Sequence, residues 1–301
     1  MSTHATDPDA AGAITPGAGI TYASSGVDTA AGDRAVELMK TSIAASMTPS
    51  VVGGVGGFAG LVDVSGLREY RRPLLAASTD GVGTKVVVAR ALGIHDTIGQ
   101  DLVGMVVDDV VVVGARPLLM TDYIACGRVV PERVADVVRG VATACAAVGT
   151  PLLGGETAEH PGLMGEDEYD VAGAATGVVE ADRVLGSDRV LAGDVLVAMA
   201  SSGLHSNGYS LVRRVVSRAG WELERQGPPL GRTLGEELLE PTRLYAKTCL
   251  AMIGALGSEA APSPVHALSH VTGGGLAANL ARVLPAGLIA VLMPTTSPLR
   301  L

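Results

Sequence analysis

Apolar residues recur along this chain with two periods, and the change from one to the other marks out its elements. Near the start, Asp33 is placed to cap a helix whose apolar face is Val36, Met39, Ile43 and Met47, with Pro49 ending it. Leu61 to Val64 and Leu74 to Ala77 read as strands. From Asp96 to Ala115 two periods compete: Ile98, Leu102, Met105 and Val106 suit a helix, whereas Val110 to Val113 suit a strand. The length of the segment and the stop at Gly114 favour helix.

Leu118 to Ala125 reads as a further strand, and Pro131 opens a helix with Val134, Val138, Val141, Ala142 and Cys145 on its apolar side. A short apolar segment, Pro151 to Leu153, precedes the turn-like GGETAEHPG, and Asp170 to Val179 is again a strand. The polar stretch from Glu180 to Asp194 is the best domain boundary. Beyond it come a strand over Val195 to Ala200, a helix over Tyr209 to Ala219, and a long helix from Gly235 to Leu256, breakable at Pro241. Residues 1–21 lack periodicity and read as a tail, and no internal repeat is visible.

Composition narrows the class. One Phe and one Trp leave the core to Ala, Val and Leu, which suits tightly layered α/β structure. A formal charge of −9 argues against nucleic-acid and anionic-membrane partners. Three dispersed cysteines, Cys126, Cys145 and Cys249, indicate neither zinc site nor disulfide framework. The first residues lack the pattern of a signal peptide and no apolar run reaches spanning length, so a soluble protein of the cytoplasm is expected.

Chemistry concentrates in glycine-bearing segments. STDGVGTK, Ser78 to Lys85, puts Asp80, Gly81, Gly83, Thr84 and Lys85 on what reads as one loop at a strand end. Asp80 is placed to hold a cation, Lys85 to meet a phosphate oxygen, and the glycines to bring N–H groups to an anion. An Asp-Gly turn followed by a surface lysine explains the same residues. GGVGGFAG, with Gly53, Gly54, Gly56 and Gly57, has the loose form of a dinucleotide fingerprint, but a strand follows where a helix should start. It reads instead as a loop between strands, able to close over a ligand or simply to turn. No P-loop motif occurs.

Asp108 and Asp109 interrupt a valine-rich stretch, where an unpaired buried carboxylate is costly; metal binding and an exposed helix face are the two readings. Glu156 stands in another glycine turn, and Asp80, Asp109 and Glu156 would form a magnesium site if they converge. Thr272, Gly273, Gly274 and Gly275 lie immediately before a helix, an arrangement suited to an anion.

Six segments, namely STDGVGTK, MVVDDVVVVGA, GGETAEHPG, SSGLHSNGYSLVRRV, ELLEPTRLYAK and HVTGGGLAANLARVLP, stand in the order and context of one family. Over about Tyr22 to Ala290 the chain resembles the phosphoribosylformylglycinamidine cyclo-ligases, or AIR synthetases, of purine biosynthesis. The resemblance implies a two-domain α/β (α+β) fold, with an N-terminal domain over 22–182 whose sheet joins its copy in a homodimer barrel. A C-terminal α/β domain over 183–301 completes the cleft. It further implies ATP and Mg2+, with formylglycinamidine ribonucleotide as the small-molecule substrate whose ring is closed.

By the same resemblance Asp80, Lys85 and Glu156 are catalytic, and Asp80, Asp108, Asp109 and Glu156 are metal candidates. The glycine loops, Thr84 and Asp109 serve ATP. His205, Ser206, Asn207 and Gly208, with Thr272 to Gly275, serve the substrate or its phosphate. Asp108 stands where many relatives carry Asn. His205 and Asn207 either orient substrate or assist proton transfer; His160 and His270 read more simply as hydrogen-bonding residues. After Ala290 the family pattern is lost, from which a truncated or frameshifted C-terminal domain is expected. A sibling ATP-dependent enzyme of the same fold, or a non-catalytic dimerising fragment, is the alternative.

Overall fold

A computed structural model describes residues 22, 25–54, 56–227, 231–257 and 263–292. The expected tail over 1–21 and the segment 293–301 lie outside the described residues.

The first helix, α1 (Thr29–Ser46), is capped by Asp28, whose carboxylate accepts the Ala31 N–H at 3.0 Å. Asp33, the expected cap, lies within the helix, because four residues, Thr29 to Gly32, extend it backwards. Its buried face is Ala35, Met39, Ile43 and Ser46, and Val36 is exposed. A short hairpin follows, β1 (Val51–Val52) antiparallel to β2 (Leu61–Val62), so the glycine-rich segment does join two strands.

The sheet that organises the molecule has the order β3-β6-β4-β5. Strand β3 (Pro73–Gly81) leads through a turn at Gly83–Lys85 into α2 (Val86–Leu92) and then α3 (Asp96–Val111). Strand β4 (Arg116–Cys126) is followed by α4 (Pro131–Val148), β5 (Leu152–Glu159) and β6 (Tyr169–Glu180). β6 is antiparallel to both β3 and β4, whereas β4 and β5 run parallel, as a strand–helix–strand crossover requires. Helix won over strand for 96–111 because a face of Ile98, Leu102, Met105 and Val106 is wholly buried.

Two expected loops are strand instead. Ser78 to Gly81 continue β3, and Gly154 to Glu159 lie in β5, so Asp80 and Glu156 sit on strands. One glycine that suggested a turn has another cause: a Cβ on Gly155 would lie 1.7 Å from Asp122 Oδ1, whose side chain occupies the space above it.

Helices α1, α3 and α4 cover one face of the sheet, and small residues let them approach. A Cβ on Gly140 of α4 would lie 1.9 Å from the Asp96 carbonyl, and one on Gly99 of α3 would lie 2.1 Å from the Val141 nitrogen. Valine is the commonest residue of the core between the layers, with Met120, Ile124 and Cys145 beside it. Cys126, Cys145 and Cys249 are all buried free thiols. Across the sheet, Leu75 and Tyr123 remain exposed.

After Glu180, α5 (Tyr209–Arg218) is followed by the two-residue pair β7 (Gln226–Gly227) and β8 (Arg232–Thr233), then α6 (Leu234–Leu238), α7 (Ala246–Leu256) and α8 (Gly275–Ala281). The expected long helix is thus two helices, separated around Pro241. The expected strand over Val195 to Ala200 does not form: no strand pairs with it among the described residues, and Val195 and Val197 are exposed. A suitable apolar pattern makes a strand only when a ladder partner is present.

Candidate active site

The end of β3 and the start of α5 meet across a cleft of about 300 Å³, lined by Asp80 to Thr84 on one side and Ser206 to Ser210 on the other. Two segments far apart in the chain thereby share one cavity. The Thr84 and Ser210 hydroxyls are 3.1 Å apart and close its edge. Gly208, at φ 81°, turns the chain into α5 so that the unpaired N–H groups of that helix start face the cleft. The Ser206 hydroxyl is buried beside it with no hydrogen-bond partner among the described residues. Asp80 accepts the N–H of Gly81 at 2.7 Å.

The wall continues towards α8. A side chain on Gly273 would lie 3.6 Å from Asn207 Oδ1, so the TGGG turn adjoins the cleft-lining loop. That turn is held by Asn279, which donates to the carbonyls of Thr272, Gly273 and Gly275 at 3.1, 3.3 and 2.8 Å. Beyond it, His270 Nδ1 and Asp109 Oδ1 are 2.8 Å apart, tying the end of α3 to the same turn. Asn279 has a sequence signal, being a lone amide on an otherwise apolar helix.

Lys85 departs from its expected role as a phosphate ligand. Its ammonium is fully buried and donates to Asp101, to the His205 carbonyl at 2.9 Å and to the Glu240 carbonyl at 2.8 Å. Three acceptors use all three of its hydrogens. Burial pulls the Lys85 ammonium below its usual range and pushes Asp101 above its own, and the contact between them opposes both shifts.

His205 has the left-handed backbone, φ 57°, and its Nε2 accepts the N–H groups of Ser202 and Arg243 at 3.2 and 3.4 Å. Burial first, then the charges of Lys85, His270 and Arg243, lower its pKa to about 4, so the ring is neutral. His160 is bonded to the Tyr123 hydroxyl at 3.0 Å, the plain hydrogen-bonding role expected of it.

The four metal candidates do not come together. Asp108 is buried and accepts the Tyr245 N–H at 3.3 Å, anchoring the start of α7, so it neither faces solvent nor joins a metal cluster. Burial raises its pKa to about 6. The rows Asp80–Gly173–Asp122–Gly155 and Gly81–Ala172–Tyr123–Glu156 run across the sheet. Asp80 and Glu156 therefore lie on its two edge strands, about 14 Å apart at the usual strand spacing, and on opposite faces. Among the described residues no group of three or more His, Cys, Asp or Glu could hold a metal ion. Gly53, Gly54, Gly56 and Gly57 are exposed, with Phe58 beside them also exposed.

Comparison with known proteins gives this architecture a class. Residues 63–179 match the family described as AIR synthase related protein, N-terminal domain, and residues 192–296 match its C-terminal domain. The phosphoribosylformylglycinamidine cyclo-ligase of Geobacillus thermodenitrificans is 50% identical over 268 residues, 89% of this chain and 75% of that protein. That of Thermosynechococcus vestitus is 50% identical over 279 residues, 92% of this chain and 79% of its own length. The chain belongs to the phosphoribosylformylglycinamidine cyclo-ligase family. Its fold is shared with a thiamine-monophosphate kinase from Stenotrophomonas maltophilia, at a TM-score of 0.58 and 21% identity over 82% of this chain and 70% of that one. Among the described residues, no helix is long and apolar enough to cross a membrane.

Proposed function

We propose that this protein closes the imidazole ring of formylglycinamidine ribonucleotide, using ATP, to give 5-aminoimidazole ribonucleotide, ADP and phosphate. The observation that carries the reading is the cleft in which Asp80 to Thr84 meet Ser206 to Ser210, with the Ser206 hydroxyl buried and unpaired.

The chemistry follows from the leaving group. A formamide oxygen leaves poorly; transfer of the ATP terminal phosphoryl group to it turns it into phosphate. A substrate nitrogen then bonds to the formyl carbon, the carbon–oxygen bond breaks, phosphate departs and the nitrogen loses its proton. The residues of the cleft supply orientation and charge complementarity rather than covalent chemistry. The start of α5 and the Ser206 hydroxyl suit phosphate oxygens, and the TGGG turn held by Asn279 suits a second phosphate. Among the described residues no three-carboxylate metal site forms, but an ion arriving on ATP phosphates needs only one or two carboxylates, and Asp80 lines the cleft. Such an ion supplies neutralisation of phosphate charge.

We assign residues 22–182 to an N-terminal ATP-binding and dimerisation domain and 183–301 to a C-terminal domain. The sheet face opposite the helices, with Leu75 and Tyr123 exposed, is the surface for a second copy. Glu156 stands on that face and so belongs to the dimer boundary rather than to the Asp80 cleft. Phosphate release from ATP, measured with and without formylglycinamidine ribonucleotide, tests the reading; substrate-independent release or none at all contradicts it.

A further inference from the structure

The lysine of STDGVGTK is the least accessible charged group in its segment, and its partner, Asp101, lies sixteen residues on in α3. Both side chains have 0% exposure, and Nζ is 2.8 Å from Asp101 Oδ2. Asp101 Oδ1 in turn accepts the Thr242 N–H at 2.8 Å and the Thr242 hydroxyl at 2.6 Å. Lys85 also lies 5.5 Å from the centre of the Tyr209 ring, whose hydroxyl donates to the Leu238 carbonyl at 2.5 Å. One buried ion pair therefore joins four segments: the turn after β3, α3, the loop 202–209 and the chain around Pro241.

The backbone of that loop is under constraint where the pair grips it. His205 has φ 57° and is the only non-glycine with positive φ among the described residues. Its carbonyl accepts from Lys85 and its ring accepts from Ser202 and Arg243. A left-handed histidine persists only where its surroundings over-determine it. The next residues, Ser206 to Ser210, are the ones that line the cleft.

We infer that Lys85 and Asp101 are a positioning pair: they hold His205 in its left-handed conformation and thereby set the Ser206–Ser210 wall against Asp80. Lys85 acts through the loop and does not touch the nucleotide phosphates. This inference uses the ring-closing reading only in taking the cleft as the nucleotide site.

The discriminating variants are Lys85→Met, Asp101→Asn and the two together, each examined without ligand by amide hydrogen exchange and then titrated with Mg-ATP by calorimetry. Asp101→Asn keeps the ammonium but releases it. A positioning pair predicts that both single variants raise exchange at the amides of Ser202, Thr242 and Arg243 tenfold or more. It also predicts that both weaken ATP binding, and that the double variant is within threefold of the worse single one. Exchange unchanged at those amides, or ATP binding retained or tightened by Asp101→Asn while Lys85→Met weakens it, overturns the inference in favour of a phosphate-binding lysine. If the ion-pair variants do not fold, Thr242→Val, which removes one hydroxyl from the network, is expected to raise the same exchange two- to threefold; no change there overturns the inference equally. Exchange is read on the unliganded protein, so a wrong assignment of the substrate leaves this test intact.

Discussion

Asp80 and Glu156 project from opposite faces of one sheet, from its two edge strands. Their division of labour follows from that placement. Asp80 shares a cleft with Ser206 and Asn207, whereas Glu156 is exposed on the face left free by the helices. Asp80→Asn is expected to lower kcat at least a hundredfold while leaving the unfolding free energy within about 0.5 kcal/mol of the parent, since its side chain is only part-buried and its bond is local. Ser206→Ala should have the opposite balance for stability, being neutral or slightly stabilising because it removes an unpaired buried hydroxyl, while weakening ATP or substrate by about tenfold. Steady-state kinetics with denaturant unfolding on both variants check the pair.

A second copy of the chain is expected on the open sheet face. Leu75→Asp places a charge on that face at edge strand β3, where Leu75 is 66% exposed in the isolated chain. Sedimentation should show the parent as a dimer and the variant as a monomer; a variant that remains dimeric places the interface elsewhere.

Asp108 gives a pH dependence with a definite sign. Burial raises its pKa from 3.8 to about 6, so the folded state holds the proton to a higher pH than the unfolded state does. Its contribution to stability is therefore greatest below pH 4 and is lost as pH rises through 6, a change on the order of 2–3 kcal/mol. Asn at this position stays neutral and still offers a carbonyl to the Tyr245 N–H. Asp108→Asn is expected to be more stable than the parent at pH 7.5 and to lose its advantage at pH 4. Urea unfolding at the two values measures it. Asp122, pushed up to about 7 by burial, declines in the same direction in both proteins and cancels from the comparison.

The contact between α3 and α4 leaves no room for a methyl group. Gly140→Ala is expected to cost about 3 kcal/mol or more, because its Cβ would lie 1.9 Å from a backbone carbonyl that no rotamer change can move. Chemical denaturation should show it; a cost below 1 kcal/mol would mean that the helices separate easily.

How much of this was legible beforehand depended on the kind of signal. Helices α3 and α4 and strands β4 and β6 carry sustained apolar periods, and these were readable to within a few residues. The glycine segments misled, because Gly154 and Gly155 resemble a turn in sequence while they lie in β5, where Gly155 clears space for Asp122 on the neighbouring strand. No local pattern distinguishes those two uses of glycine. The residues of the cleft were recognisable as chemistry, but their grouping depended on long-range pairing. Lys85 was singled out for its charge; its burial follows from acceptors at Asp101, His205 and Glu240, which no sequence spacing relates. Asp109 and His270, 2.8 Å apart, are separated by 161 positions. The left-handed His205 had no sequence signal, since no local pattern around it calls for positive φ.

On the proposed chemistry, ATP activates the formyl oxygen so that it departs as part of phosphate. Formylglycinamidine ribonucleotide labelled with heavy oxygen in the formyl group, turned over with unlabelled ATP, tests it most directly. Mass analysis of the released phosphate should find one heavy oxygen for each ring closed. Label appearing in water, with phosphate unlabelled, would contradict the account.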